Sequence, residues 1–147
     1  MGKTAKISGA VGTIAVFLLA GCSSAPTEFT THGTLTFNGG VNGSSPWGGD
    51  ATEGQLCFAR TGYGFDDLTA GTQVKITDAS GKPLALGQLA PGVYHSPPHA
   101  TCVFNFTVPK TPKANFYGVT VGSRTGPQFT EAQMQAGPSL TVGPPPR

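Results

Sequence analysis

The sequence predicts an all-β domain: about seven antiparallel strands in a β-sandwich with at most one short helix, preceded by a signal-peptide helix. Three observations point there. Apolar and polar residues alternate over short runs, the period of a strand with one buried face. Turn signals recur at roughly 8–12-residue intervals, the rhythm of a sandwich. The chain holds 22 Gly and 13 Pro but only 11% charged residues, a balance too apolar for disorder and suited to many short strands joined by turns.

The elements follow in order. Residues 31–37 alternate, with Gly33, Leu35 and Phe37 on one face and Thr34 and Thr36 on the other. Residues 38–54 are a long Gly- and Ser-rich loop, and 55–60 a second strand carrying Cys57. Residues 62–71 (GYGFDDLTAG) form an aromatic and acidic turn region. The cleanest strand is 72–78, with Val74 and Ile76 inward and Gln73, Lys75 and Thr77 outward. Asp78 opens a tight turn that Gly81 closes, and 84–89 returns as the hairpin partner. Residues 90–100 (APGVYHSPPHA) read as a loop. A long strand over 101–109 aligns Cys102, Phe104, Phe106 and Val108, and a strand over 116–122 aligns Tyr117, Val119 and Val121. Residues 130–136 make one or two helical turns, with Thr130 as cap and Gln133 at the capping-box position. A short strand at 139–142 precedes a Pro-rich end. The organisation is a signal peptide at 1–21, a lipidated tether at 22–31, a sandwich domain at 32–143 and a disordered tail at 144–147.

The amino terminus carries the sharpest signal. Lys3 and Lys6 precede an uncharged apolar run at 10–20 (AVGTIAVFLLA). That run is too short to span a bilayer, which takes about 20 apolar residues, and suits a signal-peptide core. It ends in Leu19-Ala20-Gly21-Cys22, which resembles the lipobox of bacterial lipoproteins. The resemblance implies cleavage between Gly21 and Cys22 and a diacylglycerol on the Cys22 sulfur. The mature chain is then held at the extracytoplasmic side of a cell membrane, with residues 23–31 (SSAPTEFTT) as the tether.

Removing residues 1–21 takes two lysines and no acid, so nine basic residues fall to seven against seven acids. A neutral domain without a basic cluster argues against a nucleic-acid partner. Of three cysteines, one goes to lipid; Cys57 and Cys102 are left to form a disulfide in an oxidising exterior, worth roughly 3–5 kcal/mol through the unfolded chain.

Two further resemblances concern the domain. The stretches 74–89 (VKITDASGKPLALGQL) and 102–121 (CVFNFTVPKTPKANFYGVTV) resemble the transthyretin-like or carboxypeptidase-regulatory-like sandwich. Cys57 with GYGFDDL, GTQVKITDASGK, CVFNFTVP, FYGVTVGSR and FTEAQM resembles a group of actinobacterial envelope proteins, mycobacterial and mycobacteriophage, anchored as lipoproteins or by one span. This second resemblance implies fold and location and brings no activity. It also admits a phage-encoded lipoprotein that excludes superinfecting phage.

Catalytic and cofactor sets are not legible. His95 and His99 are separated by two prolines and a serine, which rules out two imidazoles on one helical face, so no metal set forms with Cys102. Asp66, Asp67 and Asp78 are too scattered for the six to eight oxygens calcium takes and fit turn capping better. His32, His95 and His99 lack evident orienting carboxylates, and no G-x-S-x-G is present. Asn42 and Asn105 begin glycosylation-type triplets, which carry no weight in a bacterial lipoprotein. Trp47, Tyr63, Phe65 and Tyr94 stand in loops; either each folds back as a lid over the core, or they are the binding residues for an envelope protein or glycan. The expectation is a lipid-anchored, non-catalytic binding module with no cofactor. A carrier of a lipid or small molecule and a metal-binding surface protein are the other classes.

Overall fold

A computed structural model describes residues 27–38, 52–59, 64–96 and 100–144. The expected signal peptide at 1–21 and the first half of the expected tether, 22–26, lie outside the described residues. No helix among the described residues is long and apolar enough to cross a membrane.

The fold is all-β with one short helix. The described residues form nine strands: β1 Glu28–Phe37, β2 Leu56–Cys57, β3 Gln73–Asp78, β4 Pro83–Leu89, β5 Gly92–His95, β6 Thr101–Pro112, β7 Phe116–Val121, β8 Arg124–Thr130 and β9 Ser139–Val142. The helix, α1, is Glu131–Ala136. Hydrogen bonding runs through β2-β5-β6-β4-β3-β7-β8, with β1 on the other edge of β6 and β9 beyond β1. The sheet folds over itself into a sandwich-like body: Phe29 of β1 meets Tyr117 of β7 edge-on, with ring centres 6.0 Å apart.

Two strands are additional to the seven expected. β5 lies inside the stretch read as a loop, where Ala90-Pro91 and Ser96-Pro97 hide it. It continues β4 past an irregularity: Leu89 faces Phe106, while Val93 faces Val103. Pro91 falls at that irregularity, where a missing N–H is tolerated. β8 contains Gly126 and Pro127 and pairs only with β7, the edge placement at which proline is allowed. β1 begins at Glu28, inside the stretch assigned to the tether, because Phe29 pairs with Thr111 across a register shift that masks the alternation. β6 likewise runs on to Pro112 through Lys110, which holds φ at 52°.

Not every strand is antiparallel. β9 lies parallel to β1, with Leu35 facing Leu140. Thr77, expected outward, is buried, because it lies opposite Gly118, which has no side chain to hold it off. The helix is as expected, with Thr130 and Gln133 forming a reciprocal capping box.

The core draws on every layer: Leu35, Phe104, Val108, Tyr117, Val119 and Met134 are at most 1% exposed. Two of its buried threonines are paired with each other. The Thr31 and Thr111 hydroxyls lie 3.2 Å apart, and Thr111 donates on to the Val108 carbonyl at 3.3 Å. The Tyr117 hydroxyl accepts from the Ala114 amide at 2.6 Å and donates to the Pro112 carbonyl at 3.1 Å, fastening the turn between β6 and β7.

Cys57 and Cys102 form a disulfide, with Cα atoms 5.9 Å apart. It joins β2 to β6 rather than a second to a fifth strand, since β5 intervenes. The chain it closes spans 45 residues, which corresponds to about 4 kcal/mol of lost unfolded-state entropy. Gly92, opposite Cys57 in register, lets the bridge pass: a Cβ there would sit 2.6 Å from Cys102 Sγ, 2.7 Å from the Phe104 ring and 2.8 Å from the Cys57 carbonyl. Gly92→Ala is therefore expected to cost about 1–3 kcal/mol by overpacking, read as a lower denaturation midpoint. The penalty should shrink in a Cys102→Ala background, where the struck sulfur is gone.

Candidate functional site

The described loops at the end of the sandwich where β1 finishes are built to close it. Leu68 is fully buried there. Phe65 packs on Phe37 with ring centres 4.8 Å apart. Arg124, at the start of β8, lies over the Phe65 ring at 4.9 Å and donates through Nη1 to both Asp67 carboxylate oxygens at 2.5 Å. Its Nη2 reaches the Gly64 carbonyl at 2.5 Å. Thr72 donates to the Asp67 carbonyl, and Ser123 reaches the carboxylate at 3.5 Å. Hydrogen bonding from Arg124, against a smaller opposing effect of burial, holds the Asp67 carboxyl below its ordinary range. The GFDDL segment is thus a plug locked by a cation, and Asp67 is committed to Arg124 rather than open to calcium.

The remaining polar candidates are also engaged locally. Asp78 accepts at one oxygen from Ser80 Oγ at 2.6 Å, Ser80 N at 2.9 Å and Lys82 N at 3.0 Å, and these bonds, Ser80 Oγ first, lower its carboxyl. Glu53 accepts from the Ser96 amide at 2.6 Å and contacts His95 Nδ1 at 2.7 Å; the amide, then the imidazole, lowers its carboxyl. Among the described residues no group of three or more His, Cys, Asp or Glu side chains gathers as a metal set.

Of the four aromatics, Phe65 is part of the plug, and Tyr94 is a strand residue only 8% exposed. Both face inward. Trp47 and Tyr63 lie outside the described residues, as do Gly21, Cys22, Asn42 and His99.

The structure instead assembles a surface the sequence did not single out. Thr30, His32, Thr34 and Thr36 point out of β1, Asn105 and Thr107 out of β6, and Ser139 and Thr141 out of β9. Register brings them into rows: His32 beside Thr107, Ser139 beside Thr34 beside Asn105, and Thr141 beside Thr36. His32 Nδ1 lies 3.1 Å from Thr107 Oγ1, and Thr34 Oγ1 donates to Ser139 Oγ at 3.3 Å. No Asp, Glu, Lys or Arg belongs to these rows. Gly137, with φ at 102°, lies so near the His32 carbonyl that a Cβ would sit 2.9 Å from it. This brings the end of α1 down on β1, and between them opens a shallow groove of about 350 Å³. Single-strand alternation shows Thr34 and Thr36 outward; only the long-range register shows that they meet Asn105 and Ser139.

Chemically, this face offers hydroxyls, an amide and an imidazole as uncharged hydrogen-bonding groups. A His–Thr pair alone does not make an activated nucleophile, which takes a third group to orient the base. β1 and β6 beneath are paired on both edges, so their amides are largely committed to ladders rather than to an oxyanion, and β9 pairs with β1 alone. A second groove of about 360 Å³ opens where β8 and β9 part, with Leu35, Val121 and Leu140 at its floor and Arg124, Thr125 and Thr141 at its rim.

Comparison of the chain with known protein families, with characterised proteins and with solved structures finds no match.

The Asp67–Arg124 pair sets an acid-stability expectation. A carboxyl lowered in the folded state stabilises the fold above its unfolded-state pKa, and that stability is lost as pH falls through the lowered value. Chemical denaturation followed from about pH 5 down to 2 should show the midpoint falling. Asp67→Asn should flatten part of that slope, leaving the parts due to Glu53 and Asp78, and cost about 0.5–1 kcal/mol near neutrality, the worth of a partly exposed pair.

Proposed function

We propose that this chain is a lipid-anchored envelope protein whose domain works by contact rather than turnover. The uncharged, hydroxyl-rich outer face of β9-β1-β6 is its binding surface, and the fitting ligand is a neutral hydroxylated polymer such as an envelope glycan. The observation that carries this reading is the set of rows His32–Thr107 and Ser139–Thr34–Asn105 beside the α1 groove. Neutral polyols are bound by several such donors and acceptors at once, and charged groups would add desolvation cost without a counter-charge to meet. The anchor rests on the order of basic, apolar and small residues ahead of Cys22.

Two measurements test it. The mature protein should start at Cys22, carry acyl chains and enter the detergent phase on phase separation, whereas Cys22→Ala should lack the lipid mass and stay uncut after Gly21. An unmodified Cys22 in the wild-type protein overturns the anchor. Second, Thr34→Val with Thr107→Val should weaken binding to purified envelope polysaccharide. Two lost hydrogen bonds of about 0.5–1.5 kcal/mol each predict roughly a 5- to 150-fold loss. Unchanged binding, or turnover of an envelope substrate abolished by one polar substitution, overturns the contact reading.

A further inference from the structure

We infer that the domain stands on its lipid surface by one particular end, the end built from the start of β1, the turn between β3 and β4, and the segment from Pro109 to Phe116. This rests on the lipid anchor proposed above and adds which part of the protein touches the bilayer.

The chain length sets the first limit. β1 begins at Glu28, six residues after Cys22. At about 3.3–3.6 Å per residue the fully extended connection reaches at most ~20 Å. β1 itself has 10 residues, about 34 Å of strand. The Glu28 end is therefore always near the lipid, and the plugged end lies a strand's length further along the domain.

The two ends differ in their cations rather than in exposed apolar area, since Leu56 on β2 and Phe58 just after it are more exposed than Phe116. Phe116 is 48% exposed at the Glu28 end, beside the β6–β7 turn that Tyr117 fastens. Of the four lysines among the described residues, Lys82, Lys110 and Lys113 are at this end and Lys75 is mid-strand. All three are exposed. Lys110 has no ion-pair partner among the described residues, and it holds a left-handed backbone, φ 52°, where glycine would cost less. Of the three acids here, Asp78 is engaged in its own turn and Glu131 with Lys113 at 3.8 Å and Gln135 at 2.8 Å, while Glu28 is exposed at the start of β1 beside the tether. At the far end the described charges are Glu53, Asp66, Asp67 and Arg124, and Arg124 is bound to Asp67. An exposed aromatic ring among lysines suits the interface between headgroups and acyl chains. The ring enters the boundary, the lysine stems lie along it, and the ammonium groups reach lipid phosphates. The carboxylates of the far end are repelled by the same surface.

The test uses the full acylated protein in vesicles of equal parts phosphatidylglycerol and phosphatidylcholine, with brominated acyl chains as quencher. A single indole is placed by Phe116→Trp or Leu56→Trp in a Trp47→Phe background. Leu56, 74% exposed on β2, marks the far half. Quenching should be several-fold stronger at position 116 than at 56. Lys110→Glu with Lys113→Glu should reduce the difference in these vesicles and leave it in phosphatidylcholine alone nearly unchanged. Hydrogen exchange on the unaltered protein checks the same point without substitution: residues 109–116 should exchange more slowly on vesicles than in detergent. Equal quenching at both positions, or no protection of 109–116, overturns the orientation while flotation with the vesicles leaves the anchor standing. Protein that fails to float overturns both.

Discussion

Strand β6 is hydrogen-bonded on both edges over most of its length, to β1 on one side and to β5 and then β4 on the other. The rest of the molecule takes its position from that arrangement. A strand shared by three neighbours fixes the register of each, and a one-residue slip would turn Phe104, Phe106 and Val108 from core to solvent. It also carries one sulfur of the disulfide and, on its outer face, Asn105 and Thr107 of the proposed binding rows. Stability and function are therefore tied to the same ladder: the inward residues hold the layers together, and the alternate residues are held rigid as a consequence.

Much of this was legible in the sequence because it is local. Alternation identified Val74 and Ile76, the Cys102–Val108 face and the Tyr117–Val121 face. The Thr130–Gln133 spacing identified the helix cap. Cysteine arithmetic identified the Cys57–Cys102 bridge. What escaped depends on distant partners. Pro91 and Pro127 made β5 and β8 look like loops, and only pairing shows that each proline falls at an irregularity or an edge. Thr77 reads outward until Gly118 is opposite it. Phe65 and Tyr94 look like loop aromatics offered to a ligand, and only the fold turns Phe65 onto Phe37 and places Tyr94 in a strand. The hydroxyl rows are the same kind of case, since each strand contributes an unremarkable pair of threonines, serines or asparagine and the register makes a surface of them.

The chemistry of the described residues is divided in space. Apart from Lys75 in the middle of β3, ionic groups lie towards the two ends, where several fasten turns and the plug, while the broad face of β9-β1-β6 carries hydrogen-bonding groups without charge. That separation lets the face meet an uncharged ligand at high ionic strength, because no screened attraction is involved. The ends remain sensitive to salt and acid.

The parallel pairing of β1 with β9 has a consequence for how the chain acquires its structure. β1 is completed by a segment far along the chain: Ser139 pairs with Thr34, 105 residues before it. Until residues 139–142 arrive, β1 presents an open edge of unpaired amides and carbonyls. Such an edge invites pairing with a neighbouring chain, and contacts this distant in sequence form slowly. A chain whose front strands have formed exposes that edge to neighbouring copies during the interval. The closing strand thus acts as a timing element, and its arrival ends the period in which nascent copies can stick to one another.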